Sequence, residues 1–194
     1  MTTKLHHAAH RINSLQAKAI AAGLRILDTE GVEKANLRAI AEAAGVGVAS
    51  IYHYFPTKSD LLLALALIGH RELLEDVWRR RADPQGLSPM RASAAAFFEF
   101  VEARPALFSL MFDTRLLARY PKLRDAEQRV YEAYEDAVNA DDRIPEPHRQ
   151  NAAFAIWALG RGMAAMMSSY GGRLPPNLQA KLGAGAQFLI DRVT

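Results

Sequence analysis

Cysteine is absent from the chain. That excludes disulfides, thiolate metal centres and cysteine nucleophiles, and it suits a reducing cytoplasm. Long apolar runs are also missing. The stretch Leu61 to Ile68 is followed at once by His70 and Arg71, so no segment is expected to span a bilayer or to meet a membrane. Met1 to His10 holds no apolar run, so no secretory signal is expected. Alternating β-branched segments bounded by turns are lacking too, which removes the usual sign of strands. There is no phosphate-cradling glycine loop, no Ser–His–Asp arrangement and no helical Glu-x-x-His pair. An enzyme is therefore not expected, and neither is a cofactor. His6, His7 and His10 have spacings that metal ligands on a helix can use. They sit in a polar start that reads as a mobile tail, so no metal site is assigned to them.

Apolar residues, by contrast, make up half of the 194 positions, enough to bury a sizeable core. The net charge of +3 is unevenly placed. Residues 1–81 hold 11 Lys/Arg against 8 Asp/Glu, whereas 82–194 hold 13 of each. A basic first part is compatible with a polyanionic partner.

Apolar positions recur at helical spacing along the chain. Leu15, Ala19, Ala22 and Ile26 mark a helix from about Ser14 to Glu30, ended by Gly31. Asn36 caps a second, whose stripe is Leu37, Ile40, Ala41 and Ala44, and Gly45 stops it after two turns. A third short helix runs from Val48 to Tyr54, before Pro56. Thr57-Lys58-Ser59-Asp60 is a capping box that opens a fourth, with stripe Leu61, Leu65 and Ile68. Asp83-Pro84-Gln85-Gly86 is a clear break. Helices over about 89–103, 105–111, 121–140, 148–170 and 177–192 follow, the first opened by Ser88-Pro89 and the fourth ended by Gly171-Gly172. The fold expected is all-α with about nine helices. Residues 1–13 form a flexible tail, 14–60 a three-helix helix-turn-helix unit, and 61–194 a regulatory and dimerisation body.

The segment Leu37 to Phe55 is two short helices joined at a glycine turn, the helix-turn-helix arrangement. Ala41 is small where the helices cross, Gly45 permits the turn, and Val46 and Ile51 plug the angle. The second helix is thereby held outward, free to enter a major groove. Val48, Ala49, Ser50 and His53 are its outward positions, where base edges would be met. Tyr52 and Tyr54 carry hydroxyls that can donate to phosphates, although tyrosines at this spacing also serve as half-buried packing. Lys58 opposes the dipole of the next helix, and a bound phosphate would reverse that cost. A surface lysine is the plainer alternative.

Ile40-Ala41-Glu42-Ala43-Ala44-Gly45-Val46 and Ile51-Tyr52-His53-Tyr54-Phe55-Pro56-Thr57-Lys58-Ser59-Asp60-Leu61-Leu62 resemble the signature of the TetR family of bacterial repressors. The resemblance covers residues 14 to about 70. It implies an all-helical homodimer whose first three helices bind double-stranded DNA and whose fourth links them to a ligand-binding body. It also implies phosphate contacts from Tyr52, Tyr54 and Lys58, and groove contacts from Val48, Ala49, Ser50 and His53. Two positions depart from the pattern. Asn36 stands where Thr is common and caps equally well. Gly47 stands where Ser is common, which gives up a side-chain cap and a phosphate contact. Pro105 to Phe112 and Trp157-Ala158-Leu159-Gly160-Arg161-Gly162 resemble, more weakly, a TetR subgroup with a Trp-His-Gly type of helix. Arg161 replaces the histidine there, which weakens the carry-over of a ligand role to that position.

The second half is rich in large apolar side chains: Trp78, Phe97, Phe98, Val101, Phe108, Met111, Phe112, Trp157 and Met163. They suit either a pocket for an apolar effector or a filled core. Arg161 lies on the stripe of Phe154, Trp157 and Ala158 and must find a partner. That partner is either an acidic ligand or an internal carboxylate such as Glu99 or Glu102. The last two helices carry small residues at contact spacing. Ala155, Leu159, Gly162 and Ala165 lie on one, and Leu178, Leu182, Gly185 and Leu189, with Gly183, Ala184 and Ala186 around them, on the other. They read as a four-helix dimer interface. The function expected is a ligand-responsive, cytoplasmic, DNA-binding transcription regulator, a repressor released from a palindromic operator by a small, largely apolar effector. A helical adaptor that uses its helix-turn-helix for protein contacts is the remaining alternative.

Overall fold

A computed structural model describes the backbone of residues 2–190 and the side chains of residues 15–182, 184 and 185. Ten α-helices and one 3-10 turn make up the described residues, and no strand occurs among them. They are α1 (Thr2–Glu30), α2 (Leu37–Ala44), α3 (Val48–Tyr54), α4 (Lys58–Ala82) and α5 (Pro89–Ala103), then α6 (Pro105–Met111), α7 (Thr114–Arg119) and α8 (Pro121–Asn139). The 3-10 turn (Glu146–His148) leads into α9 (Arg149–Ser169), and α10 (Pro176–Ile190) follows. The all-α expectation of about nine helices holds, with α7 as an addition. Asp113 caps α7 by accepting from the backbone N–H groups of Arg115 and Leu116, both at 2.9 Å. Six residues are too few to display an apolar stripe.

Helix α1 extends back to Thr2, ahead of the Ser14 start that its stripe suggests. The expected tail over 1–13, with His6, His7 and His10, falls on side chains outside the described residues. Among the described residues no helix is long and apolar enough to cross a membrane.

Helix α4 organises the rest. Its 25 residues, about 37 Å at helical rise, pack against α1 on one side and against α5, α6 and α8 on the others. Its buried set is Leu61, Leu65, Ala66, Gly69, His70, Leu73 and Val77. The expected stripe of Leu61, Leu65 and Ile68 is thus corrected. Ile68 is only half-buried, and His70, read from sequence as the end of an apolar run, is a core residue. A helix surrounded on several sides buries several faces, so a single stripe understates it. Gly69 lets α6 come close: a Cβ there would lie 2.6 Å from Met111 Sδ and 3.0 Å from Leu107 Cγ. One buried cluster runs from Leu27, Ile40 and Ile51 through α4 to Phe97, Met111, Val130 and Trp157.

Two polar ties cross this arrangement. Arg104, at the start of α6, pairs with Asp28 of α1 at 2.7 Å and with Glu72 of α4. Tyr120, between α7 and α8, donates to Asp60 in the first turn of α4 at 3.3 Å.

The turn after α9 meets the end of α5 at Gly172. Its φ is +99°, and a Cβ there would lie 2.7 Å from the carbonyl oxygen of Glu102. Gly172→Ala combines left-handed strain with a clash against backbone, and is expected to cost at least ~1–3 kcal/mol of stability in urea denaturation. An unchanged midpoint would show that the turn tolerates a side chain.

Asp141, 2% exposed, accepts from Arg143 Nε at 2.8 Å and Nη2 at 2.7 Å, and Arg143 also donates to Ser88, the cap of α5. The Arg143 hydrogen bonds hold the Asp141 carboxyl at about 2, below its ordinary 3.8. Between those values the unfolded chain binds the extra proton, so the stabilisation is complete above about pH 4 and is lost as pH falls toward 2. Asp141→Asn is expected to cost about 2 kcal/mol at pH 6. The gap to the native chain, read by denaturation at a series of pH values, should close as pH falls through that window. A gap that stays constant with pH would exclude the carboxylate as its source.

Candidate nucleic-acid interface

Local chemistry sets the ends of α2 and α3. Asn36 accepts from the backbone N–H of Ala39 at 3.0 Å, which fixes the start of α2. Gly45 ends it in the left-handed region (φ 64°, ψ 35°), with its N–H and that of Val46 returning to the Glu42 and Ala41 carbonyls. Gly47 then stands at the N-cap of α3 with no side-chain hydrogen bond to offer. Seven residues do not make a stable helix alone. Ile51, 1% exposed, and Phe55, 3% exposed, anchor this one in the core.

The opposite face of α3 is left to solvent. Val48, Ala49, Tyr52 and His53 are exposed, whereas Ser50 and Tyr54 are half-buried. Tyr52 is 52% exposed, so packing does not account for it. Tyr54 leans on the core and meets the His53 ring edge-on at 5.4 Å. Lys58 is exposed in the first turn of α4. Beside it the Thr57–Asp60 capping box is complete: Thr57 N–H donates to Asp60 at 3.0 Å and Asp60 N–H to Thr57 at 3.2 Å. Asp60 thus lies below its ordinary pKa, chiefly through its Thr57 hydrogen bonds. Of the residues singled out from the sequence for this surface, Asn36 has its side chain committed to the cap of α2, and Tyr54 is partly packed on the core.

In the body, Phe97 touches Phe98, Phe108 and Trp157 at centroid distances of 5.5–5.6 Å, and Phe108 touches Phe112 at 4.7 Å. Val101 and Met111 are fully buried beside them, and Met163 is half-buried on α9. Trp78 stands apart, 47% exposed with the Arg81 guanidinium over its ring. On the α8–α9 side of the cluster lies a cleft of about 680 Å³, lined by Glu127, Tyr131, Phe154, Trp157 and Arg161 among others. A second, charged groove of about 490 Å³ lies between α4 and α5.

Arg161 pairs with Glu127 of α8 and covers the Phe112 ring at 4.3 Å. The internal-partner reading therefore holds with a different carboxylate. Glu99 pairs with Arg80, and Glu102 with Arg173 at 2.7 Å. Glu127 carried the same signal as Arg161, a charge on a helix's apolar stripe, here between Leu123 and Val130. His70 carries no comparable signal in the sequence. Its Nδ1 lies 3.1 Å from the Ala66 carbonyl, its ring lies 5.2 Å from Phe112, and its Nε2 is buried without a hydrogen-bond partner among the described residues. Burial pushes its pKa down to about 4, helped by the charges of Arg161 and Arg129, so it is neutral at pH 7. No group of three or more metal-ligating residues occurs among the described residues.

Comparison with known proteins places this geometry. The family of bacterial regulatory proteins called tetR matches residues 19–65, and the tetracyclin repressor-like C-terminal domain matches residues 90–193. The HTH-type transcriptional regulator CymR of Pseudomonas putida is 34% identical over 140 residues, 68% of this chain. The match spans 65% of that relative, just under two thirds of its length. Among solved structures, a Rhodococcus sp. RHA1 protein of unknown function shares the fold at a TM-score of 0.74 and 20% identity, over 92% of this chain and 95% of its own. BioQ, solved with its double-stranded DNA operator, does so at 0.56 and 20%, over 90% and 95%. With both of its parts matched and a relative at this identity, the chain belongs to the tetR family of bacterial regulatory proteins, which are transcription factors and not enzymes.

Proposed function

We propose that the chain is a cytoplasmic, homodimeric transcription regulator that binds double-stranded DNA and acts as a repressor, released from a palindromic operator by a small, largely apolar effector. The observation that carries this reading is the solvent-facing side of α3, Val48, Ala49, Tyr52 and His53, next to the exposed ammonium of Lys58. A short helix anchored by one face and bare on the other fits a major groove. Val48, Ala49, Ser50 and His53 meet base edges there, and Tyr52, Tyr54 and Lys58 meet phosphates on either side. BioQ, of the same fold, has been solved on its operator, which supports that mode of docking.

Residues 14–60 form the DNA-binding head and 61–194 the body in this reading. The dimer follows from α9. Phe154, Ala155, Leu159, Gly162 and Met166 make an exposed stripe at helical spacing, with Phe154 64% and Met166 47% exposed. Contiguous apolar surface of this kind marks an interaction face. On α10, Ala184 and Gly185 are exposed as well, while Gly183, Ala186 and Leu189 lie outside the described side chains. A two-fold pairing of α9 and α10 sets the two α3 helices on one side of the dimer, about one helical turn of DNA apart, ~34 Å. The effector acts in the body on α4, whose tilt changes that spacing.

In a gel-shift series on a selected palindromic site, affinity should fall steeply with salt, because phosphate contacts release counterions. Lys58→Ala should weaken binding to all sequences alike and reduce the slope of log K against log salt by about 1. Binding indifferent to salt, or failure to select any DNA, would sink the reading in favour of a protein-binding adaptor. Leu159→Glu combined with Met166→Glu should give monomers in sedimentation and lower operator affinity about 100-fold or more through lost bivalency. A dimer that survives both charges would move the interface away from α9.

A further inference from the structure

The arrangement around His70 bears on which effector the body takes, and so rests on the regulatory reading above. His70 projects from the middle of α4 and is 1% exposed. Its Nδ1 faces the Ala66 carbonyl at 3.1 Å. A carbonyl only accepts, so the ring proton sits on Nδ1 and the Nε2 lone pair is bare. Nε2 has no polar partner among the described residues and is fully buried. An orphaned buried acceptor loses its hydration without compensation, and native interiors seldom carry one without a use.

A chain of side-chain contacts links it to the surface. Arg161 lines the cleft of about 680 Å³ between α8 and α9. Its guanidinium covers the Phe112 ring, which also neighbours His70 and Phe108. Phe112 is only half-buried, at the C-cap of α6. A flat ring that takes the place of Phe112 therefore meets Phe108 on one side and His70 on another.

We propose that the body binds a small aromatic molecule bearing a hydroxyl group, which displaces the Phe112 ring and donates its proton in a hydrogen bond to His70 Nε2. The acceptor character of Nε2 selects the chemistry. A phenol or aromatic alcohol supplies a donor, an ether or hydrocarbon does not, and a carboxylate would set its lone pairs against that of Nε2. The cation that would have drawn a carboxylate, Arg161, is already engaged by Glu127. His70 stays neutral near pH 7, which preserves the lone pair. The grip falls on α4, twelve residues from Lys58, and so on the helix that enters the head.

Calorimetric titration of the full chain without DNA, with 1-naphthol, 1-methoxynaphthalene and 1-naphthoate, tests this directly. 1-Naphthol should bind about tenfold or more tighter than its methyl ether, the worth of one buried hydrogen bond. The naphthoate should bind more weakly than 1-naphthol. His70→Leu should lose the preference for 1-naphthol while binding the ether at least as well as before. In the native chain, the 15N resonance of the unprotonated His70 Nε2 should move upfield with 1-naphthol and stay in place with the ether, a readout that needs no variant to fold. Equal affinity for naphthol and ether, a preference for the naphthoate, a preference that survives His70→Leu, an unmoved Nε2 resonance, or no binding by any probe would each overturn the proposal. The regulatory reading fails separately, in the DNA selection: a chain that binds naphthol at His70 and no DNA loses only that reading, and one that binds DNA and ignores the hydroxyl loses only this one.

Discussion

The burial of Ile51 and Phe55 is the constraint on which the exposed face of α3 depends. A seven-residue helix with a glycine at its N-cap has little intrinsic tendency to persist. What keeps α3 in place is that one face of it belongs to the same core as Ile40 of α2 and Leu65 of α4. The other face is free because it has no packing duty. Rigidity and exposure are thus two results of a single partition of seven side chains.

The second dependency is α4. It is at once the wall on which α1 to α3 pack and the axis around which α5, α6 and α8 gather. Arg104 reinforces the join by holding Asp28 and Glu72 with one guanidinium, part-buried at 21% exposure. Tyr120 adds a tie from the α7–α8 junction to the capping box of α4. Polar links of this kind prefer one arrangement of helices over sliding alternatives that apolar contacts alone would tolerate. Head and body therefore share a helix, a core and two polar locks.

Features written in short-range chemistry were readable from the residues. Asn36, Gly45 and the Thr57–Asp60 box act where their types and spacing indicate, and Gly31 and Gly171-Gly172 end their helices with positive φ. Features that need a partner from far along the chain were not. The mate of Arg161 is 34 positions away on another helix, and only the crossing of α8 and α9 selects Glu127 over Glu99 or Glu102. His70 reads as a polar interruption because its burial involves side chains such as Phe112, distant in sequence. Trp78 looked like a body aromatic because its apolar character is plain while its outward direction is not. The bare face of α3 was visible from periodicity, since it needed only the knowledge that Ile51 points inward.

The placement of the two tryptophans has an optical consequence. Trp157 is 9% exposed amid Phe97, Tyr131 and Tyr134, and Trp78 stands in solvent near the far end of α4. Their emission separates into a blue, shielded component and a red component open to quenchers such as iodide. The molecule thereby carries two intrinsic fluorophores, one that senses the interior of the body and one that senses only its outer surface.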